Sequence, residues 1–198
     1  PAQKKGYSGV TLICKKEPIK VWEGLGIEEY DNEGRCLIAE FEDVILFNCY
    51  FPNGQRDHGR VPYKLGFSET VMEEALKLKK EKKKEIEITG DYNTAHTAID
   101  LANPKSNKNS TGFLPIEREW MDKFFANGFV DTFRHFTPDE NGHYTWWTYR
   151  SNCREKNVGW RIDYFCVTED LMPKVHKSYH RPDVLGSDHC PLILELKL

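Results

Sequence analysis

Long apolar runs are missing from these 198 residues, and none approaches the length of a bilayer-spanning helix. A CxxC pair is missing too. The six cysteines, Cys14, Cys36, Cys49, Cys153, Cys166 and Cys190, are widely spaced. That spacing argues against a zinc site or a disulfide scaffold and for a reduced, intracellular protein. Cys14, Cys36, Cys49 and Cys166 sit in apolar, strand-like runs, where a buried free thiol is expected. Nor is there an excess of positive charge. The formal net charge is −3, so a polyanion has to be met by local clusters such as Lys4-Lys5, Lys105 with Lys108, and Arg150 with Arg154 and Lys156. No secretory signal, internal repeat, low-complexity linker or domain boundary is visible. Asn109-Ser110-Thr111 matches a glycosylation sequon, which in such a protein is accidental.

What is present is core material. The chain is 39% hydrophobic and 13% aromatic, as a soluble globular domain requires. Residues 9–14 (GVTLIC) read as a buried strand. Residues 35–41 (RCLIAEF) and 44–50 (VILFNCY) read as a hairpin. Thr70-Val71-Met72-Glu73 has capping-box spacing and opens a helix with Val71, Ala75 and Leu78 on one face. Its lysines, through Lys84, read as a solvated face, with nucleic-acid contact as the alternative. A polar loop spans 103–112. Leu114-Pro115 then opens a second helix whose buried face is Ile116, Trp120 and Phe124, capped near Gly128. Residues 129–133, 144–149, 161–168, 175–179 and 191–196 read as further strands. Many strands with few helices imply an α/β sandwich rather than alternating βαβ units.

The chemistry concentrates around Gly90-Asp91-Tyr92-Asn93. Gly90 permits a sharp turn at a strand end. Asp91 and Asn93, two apart, point to one face in an extended segment, where they suit a metal ion, a water nucleophile and a phosphate oxygen. Taken alone, Gly, Asp and Asn are also ordinary turn residues. Three further stretches add weight. Ser187-Asp188-His189 places a histidine before the last strand. Asp163 stands in an otherwise apolar strand, where it needs a partner, and His189 is the natural one. Residues 48–53 put the Tyr50 phenol and the Asn53 amide where a strand gives way to a loop.

The order YFPNG, GDYN, GFLPIEREWMD, VDTFRHF, YTWWTYRS, VGWRIDYF and GSDHCP resembles the exodeoxyribonuclease III branch of the apurinic/apyrimidinic (AP) endonucleases, within the endonuclease/exonuclease/phosphatase superfamily. The likeness covers nearly the whole chain. GDxN and SDH alone mark only the superfamily, whereas VDTFRHF, the tryptophan-rich stretch and GWRIDYF narrow it to the DNA-repair branch. The resemblance implies a two-sheet α/β sandwich in one catalytic domain over residues 1–198. It implies Mg2+-dependent hydrolysis of the DNA backbone 5′ to abasic sites, with 3′-end trimming; Mn2+ is an alternative metal.

By the same resemblance, Asp91 orients or deprotonates the attacking water, and Asn93 holds the scissile phosphate. His189 contacts a non-bridging phosphate oxygen and Asp163 partners it. Tyr50 and Asn53 lie near the phosphate, and Asp188 is at or near the metal, with Asp91 and Asn93. Trp146, Trp160 and Ile162 wall the pocket for a flipped-out abasic sugar, and Asn107 helps hold DNA. Without that resemblance, the tryptophans would read as ordinary core. The expected partner is double-stranded DNA with abasic sites or blocked 3′ ends, bound by a monomer without a membrane. The expected compartment is the cytoplasm in a bacterium or the nucleus in a eukaryote. The family's N-terminal metal-site asparagine and Gln-Glu-Thr-like glutamate have no counterpart here. The resemblance therefore implies a domain without its N-terminal strands. The alternatives are a superfamily phosphatase on a small or lipid phosphate ester, or a catalytically impaired DNA-binding fragment.

Overall fold

Six strands form the main sheet of the computed structural model, which describes residues 1–198. In chain order the strands are β1 (Lys20–Glu23), β2 (Cys36–Glu40), β3 (Val44–Tyr50), β4 (Glu85–Asp91), β5 (Phe129–Asp131) and β6 (Asp163–Thr168). They lie in the order β1-β2-β3-β4-β6-β5. Only β3 and β4 run parallel, because the helix α2 (Val61–Lys82) returns the chain between them. A second, two-stranded sheet pairs β7 (Val175–His180) with β8 (Leu192–Leu196). The expected α/β sandwich is thus observed, with one large sheet and one small one.

Strand alternation builds the two faces. Ile45, Phe47, Ile86 and Ile88 point toward α2 and toward α3 (Pro115–Ala126), where they meet Phe67, Val71, Ala75, Trp120 and Phe124 in the main core. On the other face, Val44 and Val167 join Leu171 and Val175, with Leu194 and Leu196 packed alongside. Short helices, α1 (Glu28–Asp31) and α4 (Thr132–Phe136), complete the chain. Arg161 is fully buried and fixes the entry to β6: its guanidinium donates to Asp100 and Asp131, each at 2.7 Å. Arg134 adds a second bond of 2.7 Å to Asp100. Burial alone would raise the Asp100 pKa, but the two guanidinium groups outweigh it and hold it well below the usual carboxylate range.

Several expectations need correction. Residues 9–14 form no strand, and Ile13 is 92% exposed. Apolar content does not make a strand without a partner, and this segment pairs with none; its anchor is the Asn48 side-chain amide, which donates to the Thr11 carbonyl at 2.9 Å. Cys14, expected to be buried, is exposed with it. Thr70 caps nothing. The helix begins nine residues earlier, with Pro62 harmless in its first turn, and the Thr70 hydroxyl donates back to the Gly66 carbonyl. Ile116 is 51% exposed, while Glu117 and Met121 take the buried side of α3. After β5 the chain turns into α4 instead of continuing as a strand to 133, because the Asp131 side chain caps the Arg134 amide. Residues 144–149 form no ladder strand. Trp146 crosses the chain through single bridges to Trp160 and His189.

Candidate active site

Register brings the polar residues together. Tyr50 pairs with Asp91 across β3 and β4, and Asp91 pairs with Asp163 across β4 and β6. Directly paired residues share a face, so these three stand in a row at one end of the sheet, on the side away from α2 and α3. Gly90 makes the row possible. Its φ is +135°, and a Cβ there would lie 1.8 Å from the Cys49 carbonyl oxygen. Gly90→Ala is therefore expected to destabilise the fold by about 3 kcal/mol, because the clash is with backbone. A urea melt checks it, and a variant within about 0.5 kcal/mol of the parent would contradict the close approach.

Beyond Asp91 the chain enters a left-handed turn at Asn93 (φ +49°), a conformation asparagine tolerates. Asp91 Oδ1 accepts from the Asn93 amide at 2.7 Å, and Oδ2 accepts from Asn93 Nδ2 at 3.2 Å. Asn93 Nδ2 also donates to the Phe51 carbonyl, and Asn93 Oδ1 accepts from Asn53 Nδ2 at 3.1 Å. The two asparagines thus link the loops after β3 and β4. Burial and the nearby Asp163 charge push the Asp91 pKa up to about 7, against the pull of His189, the Asn93 amide and Lys64.

His189 arrives from the turn before β8. Its Nδ1 sits 3.1 Å and 2.9 Å from the two Asp163 oxygens, as the sequence pairing anticipates. Burial works against a charged ring, but the Asp163 hydrogen bond and the charges of Asp163, Asp91 and Asp188 raise its pKa to about 9. The ring is a cation at neutral pH, with Nε2 left to donate. Sequence reading missed Thr145, which is fully buried inside the tryptophan-rich stretch. Its hydroxyl donates to Asp163 Oδ2 at 2.6 Å and accepts from the amides of Ile162 and Asp163. A threonine among the aromatic residues of YTWWTY is its only trace in sequence.

A cavity of about 610 Å³ opens over this row. Tyr50, Asn53, Asp91, Asn93, Asn107, Trp146, Trp160, Ile162, Asp188 and His189 all line it, and Asp163 stands behind His189. Arg56, Asn103, Ser110 and Thr148 line it as well, without having been singled out in sequence. The Tyr50 ring lies under the Arg35 guanidinium at 4.7 Å. Asp188 Oδ2 accepts from the Trp146 indole at 3.0 Å.

One cluster could hold a metal ion: ligand atoms of Asp91, Asp163 and His189 lie within 4.8 Å of one another. Two of the three are paired with one another, His189 Nδ1 with Asp163, and Asp163 also accepts from the Thr145 hydroxyl. Asp91 remains, with Asp188 on the same cavity. Asn93 holds Asp91 through Nδ2 and accepts from Asn53 at Oδ1, whose second lone pair is left for a cation or a donor. Asp91 and Asp188 offer carboxylate oxygens to this cavity, which suit a hard cation taking oxygen ligands, with water and phosphate completing its shell.

The sequence matches the endonuclease/exonuclease/phosphatase family over residues 1–189. An exodeoxyribonuclease from Bacillus subtilis is 45% identical over 197 residues, covering 100% of this chain and 77% of the relative. The DNA repair nuclease APEX1 of Danio rerio is 45% identical over 193 residues, 98% of this chain and 62% of its own. Among solved structures, an AP endonuclease from Leishmania major superimposes with a TM-score of 0.83 at 28% identity, over 90% of this chain and 61% of that one. An AP endonuclease from Archaeoglobus fulgidus gives 0.81 at 30% identity, over 92% and 72%.

Proposed function

The chain belongs to the endonuclease/exonuclease/phosphatase family, in its branch of exodeoxyribonucleases and AP endonucleases, and from that premise we propose that it hydrolyses duplex DNA on the 5′ side of abasic sites and trims blocked 3′ ends. The observation that carries this reading is the juxtaposition of the Asp91–Asn93 and Asp163–His189 pairs with a cavity walled by Trp146, Trp160 and Ile162. A sugar without its base has no stacking to lose, so extruding it into this cavity costs less than flipping an intact nucleotide. Asn107, with Asn103 and Ser110, lines the loop side, where a DNA backbone would be held.

Asp91, with a pKa near neutrality, takes the proton of the water that attacks phosphorus. The P–O3′ bond breaks and O3′ takes up a proton from solvent, leaving a 3′-hydroxyl and a 5′-phosphate on the abasic sugar. His189 donates Nε2–H to a non-bridging oxygen, where charge grows. Tyr50 and Asn53 hold the same phosphate. Mg2+, or Mn2+ in its place, would be held by Asp91 with Asp188 nearby, and would neutralise charge on the phosphate.

The test uses a duplex with one tetrahydrofuran abasic analogue, an intact duplex and an inositol phosphate, each with Mg2+ or with EDTA. Cleavage 5′ to the analogue, confined to the metal-containing reaction, is the expected result. Faster release of phosphate from the inositol ester would instead favour a superfamily phosphatase. Binding of the abasic duplex without cleavage would make the chain a DNA-binding module.

A further inference from the structure

The Asp91–Asn93 turn and the 103–112 loop converge on a buried ion pair that the chemistry above does not use. Lys64, in the first turn of α2, is 2% exposed, and Glu117, in the first turn of α3, is 1% exposed. Lys64 Nζ donates to Glu117 Oε1 at 2.6 Å and to the Asn93 carbonyl at 2.7 Å. Glu117 Oε2 accepts from the backbone amides of Gly112 at 2.6 Å and Leu114 at 3.1 Å. Gly112 closes the circuit: its carbonyl accepts from the Ala95 amide at 2.8 Å. With φ +87°, it packs so tightly that a Cβ would come within 2.9 Å of the Asn93 carbonyl oxygen and 3.3 Å of the Trp160 ring.

Stability alone is a poor reason for such a pair. Two charges taken out of water regain their solvation only when every remaining donor and acceptor is met, and an apolar pair of similar volume often serves a fold as well. Here the polar atoms are directed at backbone groups of two different walls of the cavity. Burial pulls the Lys64 pKa down, while the Glu117 and Asp91 charges oppose it.

On the nuclease reading above, we propose that Lys64 and Glu117 are positioning residues: Lys64 sets the height of Asn93, and through it the Asp91 carboxylate, while Glu117 holds the Gly112 end of the loop that carries Asn107. The pair couples the water-activating turn to the DNA-holding loop, so that neither moves without the other. It touches no reacting atom itself.

The decisive variant is the double change Lys64→Met with Glu117→Gln. It removes both charges together, avoiding an uncompensated buried ion, and it leaves an acceptor for the Gly112 and Leu114 amides. On abasic duplex its kcat is expected to fall about a hundredfold, the scale of a small misplacement of reacting groups. KM should stay close to the parent's, the thermal midpoint should fall by a few degrees because the Asn93 carbonyl loses its donor, and Lys64→Arg, which keeps a charged donor, should recover most of the rate. In hydrogen exchange, the amides of Gly112 and Asn93 should open faster in the double variant while those of β3 stay protected. Cleavage at the parent's rate, unchanged exchange at Gly112, or a rate that falls only in step with the folded fraction would overturn the proposal. If the parent itself leaves abasic duplex intact, the functional reading fails, and the exchange measurement still decides the pair.

Discussion

Asp91→Asn is expected to lower kcat on abasic duplex by about a thousandfold, within the range of a lost general base, while leaving the affinity for uncleaved DNA near the parent's. The amide is nearly isosteric and can keep one of the two bonds to Asn93, so the turn should hold its shape. What disappears is the group that accepts a proton from water. On the proposed reading DNA affinity would be spread over many phosphate contacts and the aromatic walls, and one carboxylate would contribute little to it. Single-turnover cleavage and a binding titration in EDTA separate the two quantities. Cleavage within about tenfold of the parent, a barrier change of only ~1.4 kcal/mol, would refute the role. The pH profile gives an independent sign. The carboxylate works only when ionised, so kcat/KM should climb with rising pH, on a limb below the metal-free value of about 7. It should fall above about 9, where His189 gives up its charge. A divalent cation beside Asp91 favours the ionised form and moves the rising limb to lower pH.

The core of the fold was legible wherever a local pattern and its tertiary partner agreed. The hairpin of β2 and β3 has two continuous apolar runs and a short turn, and the GDYN strand end has its glycine. Both appear where the pattern places them. Residues 9–14 are mostly apolar too, yet remain unpaired, because a strand is a relation between two segments and a pattern describes only one. Thr70 shows the opposite failure. A local capping signature was overridden by a longer helix that begins at Val61 and packs Phe67, Val71, Met72, Ala75 and Leu78 into the core. At the site, the residues with an unusual address could be picked out: Asp163 in an apolar strand and His189 ahead of the last one. Thr145, Lys64 and Glu117 could not, because each looks ordinary in sequence. Their meaning comes from burial, which turns a threonine, a lysine and a glutamate into fixed struts.

His189→Ala should cost about a hundredfold or more in kcat, in line with the loss of a preorganised donor to a developing oxyanion, and Asp163→Ala should cost nearly as much. Alanine at 163 removes the acceptor of the His189 Nδ1 proton and of the Thr145 hydroxyl at one stroke. The ring then loses its orientation. It also loses its charge at neutral pH, since the Asp163 hydrogen bond and charge are what outweigh burial. The two single changes therefore remove largely the same interaction. In a double-mutant cycle the combined variant should be less impaired than the sum of the two barrier changes, with a coupling of about 1–3 kcal/mol. The pH dependence should separate orientation from simple damage. In Asp163→Ala, the falling limb near 9 should move to lower pH, because the imidazolium has lost its partner. Asp163→Asn, which keeps an acceptor for the ring without the charge, should lie between. Strictly additive barriers, or a falling limb unmoved in Asp163→Ala, would show that His189 does not act through Asp163.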